Sequence, residues 1–193
     1  EKEFFADKAP SIASARTGAQ RRRMIEALEQ TNPELYGSYS DALRDSDATG
    51  NFFTDSERYP LTAKGRINLY QIFAGLARQI VGPSGRVGII VPSGIATDYY
   101  NQDYFSTIVE ERELVSFYDF ENRRKLFPEV DSRMKFALLT LTGGEAPAAE
   151  YAFFLHTTDD LADPERRFGL SREEVALMNP NTGTVPVFRT RRD

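Results

Sequence analysis

The chain has 193 residues, 40% hydrophobic and 12% aromatic, enough for a packed core and too rich in Phe (14) and Tyr (9) for a disordered chain. It has no cysteine, which excludes a disulfide framework and thiolate metal sites, and no apolar run near the ~20 residues that span a bilayer. A formal net charge of −5 argues against nonspecific coating of DNA through a global field, although it leaves local basic contacts open.

Taken in chain order, the first 60 residues read as helical and polar. Pro10 opens a helix whose apolar positions Ile12, Ala15, Met24, Ile25 and Leu28 fall near helical spacing, ending at Asn32-Pro33. A second helix is expected from Pro33 to Asp45, carrying Leu35, Tyr36, Tyr39 and Leu43. The segment from Asp45 to Pro60 is rich in Asp, Ser, Thr and Gly, and reads as a loop. From Ile67 to Val81, residues Ile67, Tyr70, Phe73, Leu76, Ala77 and Ile80 keep an i, i+3, i+4 pattern, so an amphipathic helix is expected, with Tyr70 and Phe73 in its core face. Gly82-Pro83-Ser84-Gly85 stops it.

Arg86 to Pro92 is a short apolar run of the kind that forms a strand buried on both faces. A helix comes next over Asp98 to Arg112, then strands over Leu114 to Phe120 and Lys135 to Leu141. The gap from Asn122 to Met134 has no helix-length apolar pattern, so those two strands are expected as antiparallel neighbours joined by a functional loop. Tyr151 to His156 can add one more strand. Ser171, with Glu174 three residues on, caps a short helix reaching Met178. Helices alternating with strands in this rhythm give an α/β sheet layered with helices.

Three basic clusters stand out: Arg21-Arg22-Arg23; Arg123, Arg124, Lys125, Arg133 and Lys135; and Arg189, Arg191 and Arg192. The first reads as a solvated helix face. The second sets five basic residues against three acidic ones, Glu121, Glu129 and Asp131. No basic stretch followed by an apolar one opens the sequence, so a cytoplasmic protein with no membrane partner is the expectation.

The run Asn68-Leu69-Tyr70-x-x-Phe73, then Gly82-Pro83-x-Gly85, Ile90-Val91-Pro92, Asp119-Phe120-Glu121-Asn122 and Leu126-Phe127-Pro128 resembles the adenine-specific DNA methyltransferases of the gamma amino class. Within these it looks most like large fused type II restriction–methylation enzymes and methyltransferases of bacteriophage-exclusion systems. The segment from Met178 to Arg189 also resembles the stretch immediately after the catalytic domain in that group. The likeness covers Ile67 to Leu141, and the flanks loosely.

The resemblance implies part of a Rossmann-like methyltransferase sheet, its last strands forming an antiparallel hairpin, preceded by an N-terminal helical segment. Ligands of such sheets sit at the carboxyl ends of the strands. Pro92, Ser93, Glu121 and Asn122 would then edge the pocket, and Arg123, Arg124, Lys125, Arg133 and Lys135 would meet the DNA backbone. In that family the target adenine is flipped out of double-stranded DNA and held between two aromatic rings. Phe127 matches the ring on the Phe-Pro loop.

The family's other working parts have no counterpart here. The resemblance implies S-adenosylmethionine as methyl donor, held by a Gly-rich loop, and an Asn-Pro-Pro-aromatic loop at the target amine. The sequence carries neither: Asn32-Pro33 is followed by Glu34 and Asn179-Pro180 by Asn181. Residue 1 is therefore expected just downstream of the Asn-Pro-Pro-aromatic loop. Residues 1–60 would be a helical insertion, 61–145 the C-terminal part of the methyltransferase domain, and 146–193 an extension toward a downstream domain. The partner of such a fragment is the missing N-terminal half of the domain. No catalytic, cofactor-binding or metal-ligating residue is expected within the chain, which alone would be inactive.

Other chemistries find little support. His156 has no second His or Cys with which to hold zinc. Ser93 or Ser116 with His156 and Asp159 lacks a nucleophile elbow. The competing readings are a non-catalytic DNA-recognition or scaffold module of a restriction or phage-defence complex, and a small-molecule methyltransferase of the same fold.

Overall fold

The computed structural model describes residues 1–190; Arg191 and Arg192 of the third basic cluster lie outside the described residues. The chain divides into two units, Glu1–Asp55 and the remainder from Ser56.

The first unit is helical: α1 (Lys2–Lys8), α2 (Pro10–Ala13), α3 (Gly18–Thr31) and α4 (Pro33–Asp55). Phe5, Ile12 and Ile25 form its small core, flanked by Leu28, Leu35, Tyr36 and Tyr39. The single helix expected after Pro10 is broken between Ala13 and Gly18. There Thr17 caps α3, its hydroxyl oxygen accepting the Gln20 N–H at 3.1 Å. Arg21, expected on a solvated face, is buried. Its guanidinium donates to the carbonyls of Ile12 and Ala15, each at 3.2 Å, adding a donor at the turn that ends α2. The stretch Asp45–Asp55, expected as loop, continues α4. Thr49 and Thr54 bond back to the carbonyls of Asp45 and Gly50, four residues earlier, so their hydroxyls no longer compete for the turn geometries that favour a loop.

In the second unit, α5 (Leu69–Ile80) begins at a capping box, the Gln71 side chain accepting the Asn68 N–H at 2.8 Å. Five strands come after it: β1 (Arg86–Pro92), β2 (Leu114–Glu121), β3 (Lys135–Thr142), β4 (Ala149–Leu155) and β5 (Phe168–Leu170). Helices α6 (Gly94–Thr97) and α7 (Gln102–Glu110) join β1 to β2, and α8 (Arg172–Met178) follows β5. The sheet order is β1-β3-β2-β4-β5. The expected antiparallel hairpin of β2 and β3 is present, and β3 also pairs antiparallel with β1, which it separates from β2. β4 lies parallel to β2, and β5 antiparallel to β4. The architecture is mixed α/β, and the carboxyl ends of β1, β2 and β4 share one edge with the start of β3.

Alternation assigns each strand residue to a face. On one face Val91, Phe117, Ala137, Leu139, Tyr151 and Phe153 pack with Ala74, Ile95, Tyr104, Phe105 and Ile108 from the helices. Val185 and Phe188 join this core, so the tail beyond α8 packs against it. On the other face Phe120, Ala152 and Leu155 form a smaller cluster with Tyr118, Phe136 and Leu138. Gly143, after β3, is forced by close approach: a Cβ there would stand 2.0 Å from the Gly82 carbonyl oxygen.

Two details depart from expectation. β1, expected to be buried on both faces, is an edge strand with alternate residues open and Ile90 56% exposed, because among the described residues only β3 pairs with it. Phe73, expected in the core, is 56% exposed together with Leu69 and Ile80 on the outer side of α5, since the sheet supplies nothing to cover that side.

Candidate functional site

The shared edge assembles most of the residues singled out from the sequence. Pro92 ends β1 and pairs with Phe136, which in turn pairs with Phe120 of β2; Glu121 pairs with Lys135. Adjacent residues of a strand face opposite ways, so this edge has two sides.

One side is polar. Ser93 is buried and its hydroxyl donates to the Asp119 carboxylate, which also accepts the backbone N–H of Phe154. Burial pushes the Asp119 carboxyl up from its ordinary value, against the Ser93 hydroxyl and the charge of Lys135. Two residues on, Glu121 is buried: Arg123 Nε donates to it, Lys135 Nζ lies 3.2 Å away, and the ring nitrogen Nε2 of His156 lies 3.4 Å away. The hydrogen bond from Arg123, with that from Lys135, holds its carboxyl down at about 2. The side chains of Glu121, Arg123, Ser132, Arg133 and Lys135 line a cleft of about 180 Å³.

Phe154 explains how this side is held. It has φ 56°, a left-handed conformation unfavourable for a bulky residue, at the point where the pairing of β4 with β2 slips between Tyr118 and Phe120. The slip turns the Phe154 N–H onto Asp119. It also leaves the Phe154 ring beneath two cations, Lys135 Nζ at 4.9 Å and the Arg189 guanidinium at 5.1 Å.

The other side is aromatic. Phe136 stacks on Phe120 with ring centres 5.2 Å apart and planes 6° from parallel. Phe127, 39% exposed, sets its ring edge-on against Phe136 at 4.9 Å and 84°. It is therefore braced from behind and open in front, on a short turn between the strands.

That turn is built around Asn122, fully buried at the end of β2. Its side-chain oxygen accepts the Phe127 N–H at 3.0 Å, and its amide nitrogen donates to the carbonyls of Phe127 at 2.9 Å and Val130 at 3.0 Å. Asn122, expected to edge the pocket, has these groups committed inside the loop. Lys125, expected to face DNA, takes a left-handed conformation (φ 57°), and its ammonium donates to the carbonyls of Pro128 at 3.3 Å and Val130 at 2.8 Å. Arg133 is exposed and clamps Asp131, its Nη2 at 2.9 Å from the carboxylate. Arg123 and Lys135 share Glu121. Arg124 is exposed, with no ion pair or side-chain hydrogen bond among the described residues.

Sequence reasoning missed Asp119, Phe136 and Phe154 as site residues. For Asp119 a signal existed: it and Glu121 are two apart on a strand and so share a face. Nothing in the sequence marks Phe154, since a left-handed aromatic is set by tertiary fit. Among the described residues no group of three His, Asp or Glu could hold a metal ion, and no helix is long and apolar enough to cross a membrane.

No family model and no curated protein matches the chain. Among solved structures it is similar to the type IIG restriction endonuclease BpuSI, at 17% identity and a TM-score of 0.46 over 65% of this chain and 16% of that one. It is also similar to a type I restriction-modification system methyltransferase subunit from Streptococcus thermophilus, at 12% identity and a TM-score of 0.47 over 73% of this chain and 35% of that one. The chain thus spans well under half of either relative.

Proposed function

We propose that the chain forms the target-base side of an S-adenosylmethionine-dependent DNA adenine-N6 methyltransferase, within a restriction–modification or phage-defence system. The observation that carries this is Phe127: a half-exposed ring, braced by Phe136, at the carboxyl edge of an α/β sheet whose opposite side carries a basic cleft. In this reading Phe127 offers its face to an adenine extruded from double-stranded DNA. It transfers no proton; it stabilises the extruded state. The residues Arg123, Arg124, Arg133 and Lys135 meet the DNA backbone.

The methyl donor is held by a part of the domain that this sequence does not contain, so the chain alone neither binds S-adenosylmethionine nor methylates. The open edge of β1 and the uncovered side of α5, with Leu69, Phe73 and Ile80, support docking against that other half.

The test is methylation of duplex DNA by the protein carrying both halves. Stacking contributes ~1–3 kcal/mol per base, so Phe127→Ala should lower kcat/KM by ~5- to 150-fold, with Phe127→Trp close to wild type. An unchanged rate in Phe127→Ala refutes the base-stacking role. Calorimetry showing micromolar binding of S-adenosylmethionine by the 193-residue chain refutes the division of labour. A non-catalytic DNA-recognition module is the second reading, supported by the absence of both donor loops from the sequence; it expects DNA binding and no change in methylation on replacing Phe127.

A further inference from the structure

We propose that Asn122 is the positioning residue of this site: its buried side-chain amide latches the loop 122–134 and sets the Phe127 ring in place before any base arrives. The inference rests on the base-stacking reading of Phe127 given above, but the latch itself does not.

The geometry is specific to an amide. Asn122 accepts from the peptide N–H of Phe127 and donates to the carbonyl of that same residue, so both ends of the Phe127 backbone are tied to one side chain. The same nitrogen reaches the Val130 carbonyl, which also receives the Lys125 ammonium. The Asn122 backbone is engaged as well, its N–H donating to Met134 O and its carbonyl accepting from Lys125 N, each at 2.9 Å. An aspartate would keep the acceptor but turn a negative oxygen toward carbonyl oxygens; an alanine would leave the Phe127 N–H without its acceptor and the carbonyls of Phe127 and Val130 with one donor fewer each. Because Asn122 has no exposed surface, it cannot touch DNA itself and acts through Phe127. A ring fixed in advance loses less freedom when it stacks, which favours the bound state without adding a contact.

The chain contains no tryptophan, so Phe127→Trp places a single reporter at the tip of the loop. In that background Asn122→Ala and Asn122→Asp should each lower the fluorescence anisotropy and raise acrylamide quenching by at least ~2-fold. Amide exchange of β2 and β3 should stay at wild-type levels, showing an intact sheet. If Asn122→Ala does not fold, Asn122→Asp, which keeps the shape, carries the test. Unchanged anisotropy and quenching in a folded variant overturns the latch.

The second arm measures duplex methylation by the protein carrying both halves, as a double-mutant cycle. Asn122→Ala should cost at least ~5-fold in kcat/KM with Phe127 present and almost nothing in the Phe127→Ala background. Additive losses overturn a role exerted through Phe127. If Phe127→Ala alone leaves methylation untouched while the reporter still loosens, the latch stands and the base-stacking reading falls.

Discussion

Replacing Glu121 by Gln removes the one acid shared by Arg123, Lys135 and His156, and the structure gives a magnitude for the loss. A carboxyl taken from 4.5 to about 2 would contribute at most ~3 kcal/mol of folding stability at neutral pH. The side chains of Arg123 and Lys135 are 68% and 41% exposed, so solvent screening brings the working figure to ~1 kcal/mol. Because the folded carboxyl lies below its unfolded value, this stability is present in full above ~4.5 and is lost as pH falls toward ~2. Urea unfolding should therefore show Glu121→Gln with a midpoint lower by ~0.5 M at pH ~7, the gap narrowing steadily below pH ~4.5. A gap that persists unchanged at low pH, or a Gln variant as stable as wild type at pH ~7, refutes the pairing of Arg123 and Lys135 with Glu121.

Gly143→Ala should lower stability by ~1–3 kcal/mol, read as a drop in Tm, because the new Cβ meets the Gly82 carbonyl and backbone cannot step aside like a side chain; an unchanged Tm would mean the 82–85 turn is free to move. Phe154→Gly and Phe154→Ala both remove the ring under Lys135, but only glycine relieves the left-handed strain, so the glycine variant should be the more stable of the two by ~1 kcal/mol in urea unfolding. Equal stabilities would contradict a strained Phe154. On the proposed reading, Arg124→Ala should reduce the slope of log K against log salt for duplex binding by up to ~0.9, while Lys125→Ala, whose ammonium serves loop carbonyls, should change the slope less. Equal slope changes would mean that Lys125 leaves the loop to meet phosphate.

The strands around the edge were legible because short apolar runs bounded by turns carry their own signal, and the gap between Asn122 and Met134 announced a loop by lacking one. What sequence periodicity could not supply was context. Asp45–Asp55 has turn-forming residues yet extends α4, its threonines bonding back along the helix. Phe73 sits in a core-like pattern yet faces outward, because the pattern marks an apolar face without saying whether this chain contains the partner for it. Asn122 follows directly on a legible strand, but its complete burial and inward commitment depend on the path of a loop that folds back over it. Phe154 depends on a slip in strand pairing that no local rule encodes.

Among the described residues β1 and β2 do not pair; β3, the latest of the three in chain order, lies between them. A polypeptide emerging from a ribosome cannot join β1 to β2 until Lys135–Thr142 has been delivered to the slot between them. The residues that precede β3 belong to the loop bearing Phe127, and the act of filling the slot draws that loop across the sheet's rim. Filling the slot and bringing the exposed aromatic to the rim thus go together, while β4, β5 and the core-packing tail with Val185 and Phe188 are still to be added.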